Sequence, residues 1–169
     1  SLGIALRDAG RLEEADEAFA QALALKPDDP EIRFNYSLTQ LHLGNDAEGW
    51  RHYEARWQLE RQKKRSFPQP WWHGGPFAGR TLLLFAEQGF GDTIQFIRFA
   101  PQVKALGGRV VLECQPELMR LMASAQGVDE LVVRDTAEAE AMLRAGGLVC
   151  PLASLPGIFK AKLSQPPGP

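Results

Sequence analysis

Cysteine is scarce: Cys114 and Cys150 are the two in 169 residues. They stand far apart, with no further Cys or His spaced to hold a metal. That argues against a disulfide framework or metal site and leaves two reduced, buried thiols as the expectation. An excess of charge of one sign is also missing. The 19 Lys and Arg against 21 Asp and Glu give a net charge of −2, which offers no electrostatic footprint for nucleic acid or an anionic membrane. No apolar run approaches the ~18 residues of a membrane span, and no signal-peptide pattern opens the chain. What is present, 44% hydrophobic and 24% charged residues, is the composition of a soluble globular protein, expected to be cytoplasmic. The length suits one ordinary domain, or a small domain beside a second module.

Through residue 60 the apolar spacing is helical and repeats itself. Gly10 and Gly44 stand 34 positions apart, as do Leu2 and Tyr36, Gly3 and Ser37, Phe19 and Tyr53, Leu23 and Trp57, and Leu25 and Leu59. The small residues Ala15 and Gly49 share that offset. Such a period predicts helix–turn–helix pairs. Gly10 and Gly44 would make the tight turns, Ala15 and Gly49 would allow close helix approach, and Pro27 would end the second helix. The series Leu2, Gly3, Leu6, Gly10, Ala15, Phe19, Ala22, Pro27 resembles tetratricopeptide repeats. The second repeat departs from that pattern: Gln40 replaces an apolar residue, Arg56 a small one and Arg61 the proline. Those departures suit a terminal repeat meeting a different neighbour. Residues 1–60 are therefore expected to hold about two repeats, the first truncated. Residues 165–169, rich in proline, suit neither helix nor strand and are expected to form a disordered tail. We expect the chain to be a piece of a longer protein.

Residues 61–80 read as a junction. Arg61, Lys63, Lys64 and Arg65 suit a solvated helix end. Trp71 and Trp72, among several prolines and glycines, are expected to fix the repeat module to the next domain; a stacking platform for a sugar is the alternative. From residue 81 to 164 the pattern is strand, loop, helix, strand. Strands are expected over 81–86, 109–113, 130–133 and 148–150, and helices over 93–106, 116–125 and 136–145, with Pro101 bending the first. Continuous apolar strands alternating with helices argue a parallel sheet with right-handed crossovers, a Rossmann-like half. The fold class is thus α/β with an N-terminal all-α helical-repeat module.

The candidate site is the turn Glu87-Gln88-Gly89-Phe90-Gly91-Asp92, where the first strand gives way to a helix expected near Thr93. Parallel sheets place ligands just outside the carboxyl ends of their strands. Gly89 and Gly91 allow a tight turn with uncovered amides, and a helix start suits an anionic group. The turn lacks the third glycine of a dinucleotide fingerprint, since Ile94 stands there, and no Gly-Lys-Ser/Thr follows for a P-loop. On local physics alone, Asp92 is also what a helix N-cap looks like, holding the amides of Ile94 or Gln95.

Residues 87–101 closely resemble a segment of bacterial repeat-linked glycosyltransferases of the two-domain GT-B type, similar to heptosyltransferases and, more distantly, to protein O-linked N-acetylglucosamine transferases. Gly49-Trp50, Tyr53-Glu54, Arg56-Trp57, Val110-Val111-Leu112-Glu113, Gly127-Val128-Asp129 and Cys150-Pro151-Leu152 through Pro156 extend the likeness over most of the chain. Ala55 stands where that family often has Trp. The resemblance implies that Asp92 is the catalytic base, taking the acceptor hydroxyl proton as that oxygen attacks the anomeric carbon. Glu87, Gln88, Gly89, Gly91 and Thr93 would line the substrate cleft; Arg98, further along the helix, would have a surface or interdomain role. It implies no metal and no cofactor beyond a nucleotide-sugar donor, held mainly by a second, C-terminal domain missing from this chain. A protein or glycan acceptor would be recruited through the repeats, and the chain alone would be inactive. A non-catalytic repeat scaffold for protein–protein interaction is the alternative. A nicotinamide-dependent oxidoreductase, with Glu113 in the ribose-binding role, is disfavoured by the incomplete glycine pattern.

Overall fold

Gly10 and Gly44 punctuate the N-terminal helices in the same way. Each takes a positive φ, 76° and 78°, a conformation that costs other residues roughly 1 kcal/mol and glycine almost nothing. Before them run α1 (Leu2–Asp8) and α3 (Pro30–His42); after them run α2 (Leu12–Leu25) and α4 (Asp46–Tyr53). The ends of α1 and α3 stand 34 residues apart, and so do the starts of α2 and α4. This computed structural model describes residues 1–60, 67–137, 141 and 147–161. They form two compact units, one within residues 1–60 and the other within 67–159. The basic run from Arg61 to Arg65, most of the helix expected over 136–145 and the tail 165–169 lie outside the described residues.

Close approach holds the helix pairs together. A Cβ on Gly3 would sit 2.7 Å from the Phe19 ring, and one on Gly49 would sit 2.6 Å from Leu41 Cδ2. Both distances are too short for carbon–carbon contact, so the glycines set the spacing. Asp29 caps α3, accepting from the backbone N–H groups of Glu31 (3.0 Å) and Ile32 (3.1 Å), and Pro30 opens its first turn. Two of the three departures from the repeat pattern, Gln40 and Arg56, are buried and partnered; the third, Arg61, lies outside the described residues. Gln40 donates to Asp16 and accepts from Asn45 Nδ2 at 2.8 Å. Arg56, fully buried, pairs with Glu54 at 2.8 Å, and its guanidinium lies 4.7 Å from the Tyr53 ring centre and 4.9 Å from that of Trp57. Buried polar groups without such partners would be costly, which is why each arrives with its own acceptor.

The second unit is built on a four-stranded parallel sheet: β1 (Thr81–Phe85), β2 (Arg109–Cys114), β3 (Glu130–Val133) and β4 (Leu148–Pro151), in the order β3-β2-β1-β4. The register sets Leu84 beside Leu112 and Cys150, and Leu112 beside Leu131. Val110, Leu112, Leu84 and Val149 are wholly buried, as nearly continuous apolar strands require. The fold class read from sequence is therefore right in its coarser form, a mixed α/β chain with a parallel sheet behind N-terminal helices.

The helices differ from expectation in two places. The helix expected over 93–106 starts earlier and tightens in the middle: α5 (Phe90–Phe96), a 3₁₀ turn (Ile97–Phe99), then α6 (Ala100–Lys104). Pro101 has no N–H to give to the preceding turn and is tolerated only in the first turn of a new helix, where it lies. The helix expected over 116–125 shrinks to a 3₁₀ turn and α7 (Met119–Met122). After β4 come a 3₁₀ turn (Leu152–Ser154) and α8 (Leu155–Ile158).

The tryptophans have a role within the sheet unit. Trp71 forms a parallel bridge with Val149 on the outer side of β4; Trp72 N–H donates to Val149 O (2.8 Å), and Val149 N–H donates to Pro70 O (3.2 Å). The Trp72 indole donates to Gly75 O at 2.7 Å and packs against Phe77 and Phe159. Neither ring is laid out as an exposed platform: Trp72 is buried and Trp71 half-buried.

Candidate functional site

The strand order makes β1 and β4 the point where the chain's path reverses. From β1 the chain moves to β2 and β3 on one side, then crosses back to β4 on the other. In open parallel sheets the crevice at such a reversal, outside the carboxyl ends of the strands, is where ligands bind. Two segments meet there, the β1–α5 turn and the 3₁₀ turn after β4. Between them lies a shallow crevice, lined on one side by Ala86, Glu87, Gln88, Asp92, Thr93 and Phe96 and on the other by Leu152 and Ala153. As it stands, it has no space for the centre of a water molecule.

Asp92 is half-buried and reaches the crevice from the third position of α5. Its Oδ2 accepts from the Gly89 N–H at 3.2 Å. It thus reaches back to the start of the helix and does not cap forward onto Ile94 or Gln95. Gly89 is the N-cap, with extended backbone (φ −73°, ψ 178°), and its carbonyl accepts from the Thr93 N–H at 3.1 Å. Neither glycine of the turn is demanded by a left-handed backbone. A Cβ on Gly91 would meet nothing within 4 Å, and one on Gly89 would meet only Asp92 Oδ2 at 3.6 Å. Both are exposed and stand outside the crevice lining, so the structure separates them from Glu87, Gln88, Asp92 and Thr93, which it brings together.

Thr93 is buried, and its hydroxyl lies 3.1 Å from both Gly89 O and Gln115 Oε1. Gln115, just past the end of β2, donates through Nε2 to Gln88 O at 3.0 Å. Sequence reading did not select Gln115. Its one local signal is the proline after it, which holds Gln115 extended (φ −60°, ψ 144°). Phe96, Leu152 and Ala153 were also not selected as site residues, although Phe96 and Leu152 lie in segments that carried the family likeness. Arg98 is half-buried with its guanidinium 5.3 Å from the Phe99 ring centre, away from the crevice lining.

Glu113 is fully buried in β2, so it presents no carboxylate to a ribose from solvent. Cys114 and Cys150 are free, buried thiols, and burial followed by the charge of Glu113 pushes Cys114 above the usual thiol range, which makes it unreactive. Among the described residues no group of three or more His, Cys, Asp or Glu could hold a metal, and no helix is long and apolar enough to cross a membrane.

No protein-family model matches the chain, and no solved structure matches it. Among curated proteins, Protein FlbA of Caulobacter vibrioides is 34% identical over 107 residues, which cover 59% of this chain and 18% of FlbA. The chain thus matches a segment less than a fifth as long as that relative, and its similarity is to a part of FlbA.

Proposed function

We propose that this chain is the acceptor side of a nucleotide-sugar-dependent glycosyltransferase, with its N-terminal helices serving as tetratricopeptide repeats that recruit a protein or glycan. The sheet would be the Rossmann-like N-terminal half of a GT-B enzyme. The observation that carries the reading is a solvent-reachable carboxylate, Asp92, at the crevice where the sheet reverses its direction. A carboxylate there can take a proton from an acceptor hydroxyl brought within about 3 Å. The 34-residue recurrence of helix boundaries supports the repeat reading. Under this reading the 169 residues alone transfer no sugar, because the donor would be held by a second domain.

The test is Asp92→Asn in the full-length protein, with nucleotide release from a panel of nucleotide sugars as the readout. Under this reading kcat falls about 10²-fold or more while the circular dichroism spectrum is unchanged. Wild-type turnover by the variant would reduce Asp92 to a helix-start ligand. It would favour instead a repeat scaffold that binds proteins without chemistry.

A further inference from the structure

Asp92 is held by a turn that the neighbouring strand grips on both flanks. We propose that Gln115 is the positioning residue that sets Asp92 at the crevice. This rests on the reading of Asp92 as the base, but the grip itself stands on geometry alone. Gln115 Nε2 donates to the carbonyl of Gln88, just before the N-cap, and Gln115 Oε1 lies 3.1 Å from the hydroxyl of Thr93, just after Asp92. One buried side chain thus holds the residues on either side of the short span that contains Gly89 and Asp92. Its amide orientation follows from its partners. Gln88 O can only accept, so the NH₂ group must face it, and the carbonyl is left facing the Thr93 hydroxyl, whose single proton it shares with Gly89 O.

Two further features make the grip stiff. Pro116 denies the preceding residue the helical region, so the Gln115 backbone is fixed by its neighbour. Gln115 also follows directly on β2, whose residues pair with β1 and β3, so the anchor is tethered to the end of a paired strand. By contrast, the bond from Gly89 N–H to Asp92 Oδ2 is exposed and long at 3.2 Å, a weak restraint by itself. Gln115 touches no substrate in this scheme; it acts through Gln88 and Thr93.

The experiment has two arms. In the 169-residue chain, Gln115→Met keeps the length of the side chain and removes both hydrogen bonds. Its ¹H–¹⁵N spectrum should show displaced amides at Gly89, Gly91 and Asp92, and faster hydrogen exchange at Gly89 by at least tenfold, with β1 and β4 amides unmoved. In the full-length protein, the same variant should lower kcat for nucleotide-sugar turnover by 10- to 100-fold with KM within about twofold, because a misplaced base costs rate and not binding. If Gln115→Met fails to fold, Gln115→Asn, whose amide falls one methylene short of Gln88 O and the Thr93 hydroxyl, should displace the same amides while leaving the Thr93–Gly89 contact in place. Unmoved Gly89 and Asp92 signals in a folded variant would overturn the proposal. So would wild-type kcat in Gln115→Met beside a crippled Asp92→Asn. If Asp92→Asn itself retains full turnover, the base reading falls and takes the positioning role with it, while the amide shifts still report separately on whether Gln115 holds the turn.

Discussion

The two units handle buried polarity in opposite ways. In the helical unit, polar side chains are distributed through the packing: Gln40 with Asp16 and Asn45, His52 with Glu48, Arg56 with Glu54 and two aromatic rings. In the sheet unit the strands are nearly pure hydrocarbon, and the buried polar groups Thr93, Glu113 and Gln115 gather toward the carboxyl end of the sheet. The difference follows from geometry. Paired helices leave flanks where a long side chain finds a partner across the groove, whereas a parallel strand covered on both faces leaves no room for one until it ends. Stability in the first unit should therefore depend on fit at small residues, and in the second on buried volume.

Four changes put that contrast to the test. Leu112→Ala should cost the most, about 2–5 kcal/mol in chemical denaturation, because a wholly buried leucine between Leu84 and Leu131 leaves a cavity the sheet cannot close. Gly49→Ala should cost roughly 1–3 kcal/mol, since its methyl would run into Leu41; a neutral result would break the claim that small residues set helix spacing. Asp29→Ala, which removes the cap of α3, should cost about 1 kcal/mol, measurable as a shift of the same transition. The smallest effect should be the pH dependence contributed by His52.

His52 is buried, with Nε2 3.0 Å from Glu48 Oε1 and Nδ1 without a partner. Burial, followed by the charge of Arg51, lowers its pKa from the ordinary 6.5, and Glu48 opposes the shift in part. Between the folded and unfolded values, the unfolded chain binds more protons. Stability is therefore fully present above about pH 6.5 and declines as pH falls through 6.5 toward the folded value. His52→Gln should flatten that part of the stability–pH curve, and an unchanged slope would show that another group carries it.

Much of the frame was legible in the sequence because it is periodic or local. The offset between Gly10 and Gly44 marked the helix turns, and the four apolar runs marked the strands to within about a residue at their ends. The start of α5 was missed because an extended glycine served as N-cap, where an aspartate was the natural candidate. The backbone bridge from Trp71 to Val149 was not legible, because aromatic residues among prolines and glycines give no strand pattern to read. The candidate site was half legible. Asp92, Glu87, Gln88 and Thr93 are consecutive or nearly so, but Gln115 meets Thr93 and Gln88 across 22 and 27 residues of chain. No local pattern encodes such a pairing; the register of β2 against β1 creates it.

The backbone bridge between Pro70–Trp72 and β4 has a practical consequence for anyone shortening this protein. With that segment in place, the Val149 N–H and C=O are occupied, and Pro68 and Pro70 offer no amide for a further strand to grasp. A chain trimmed to begin at Thr81 would leave an apolar, uncapped sheet margin open to pairing with its own copies. We expect it to aggregate in proportion to concentration, while the version that retains Phe67 onward stays dispersed.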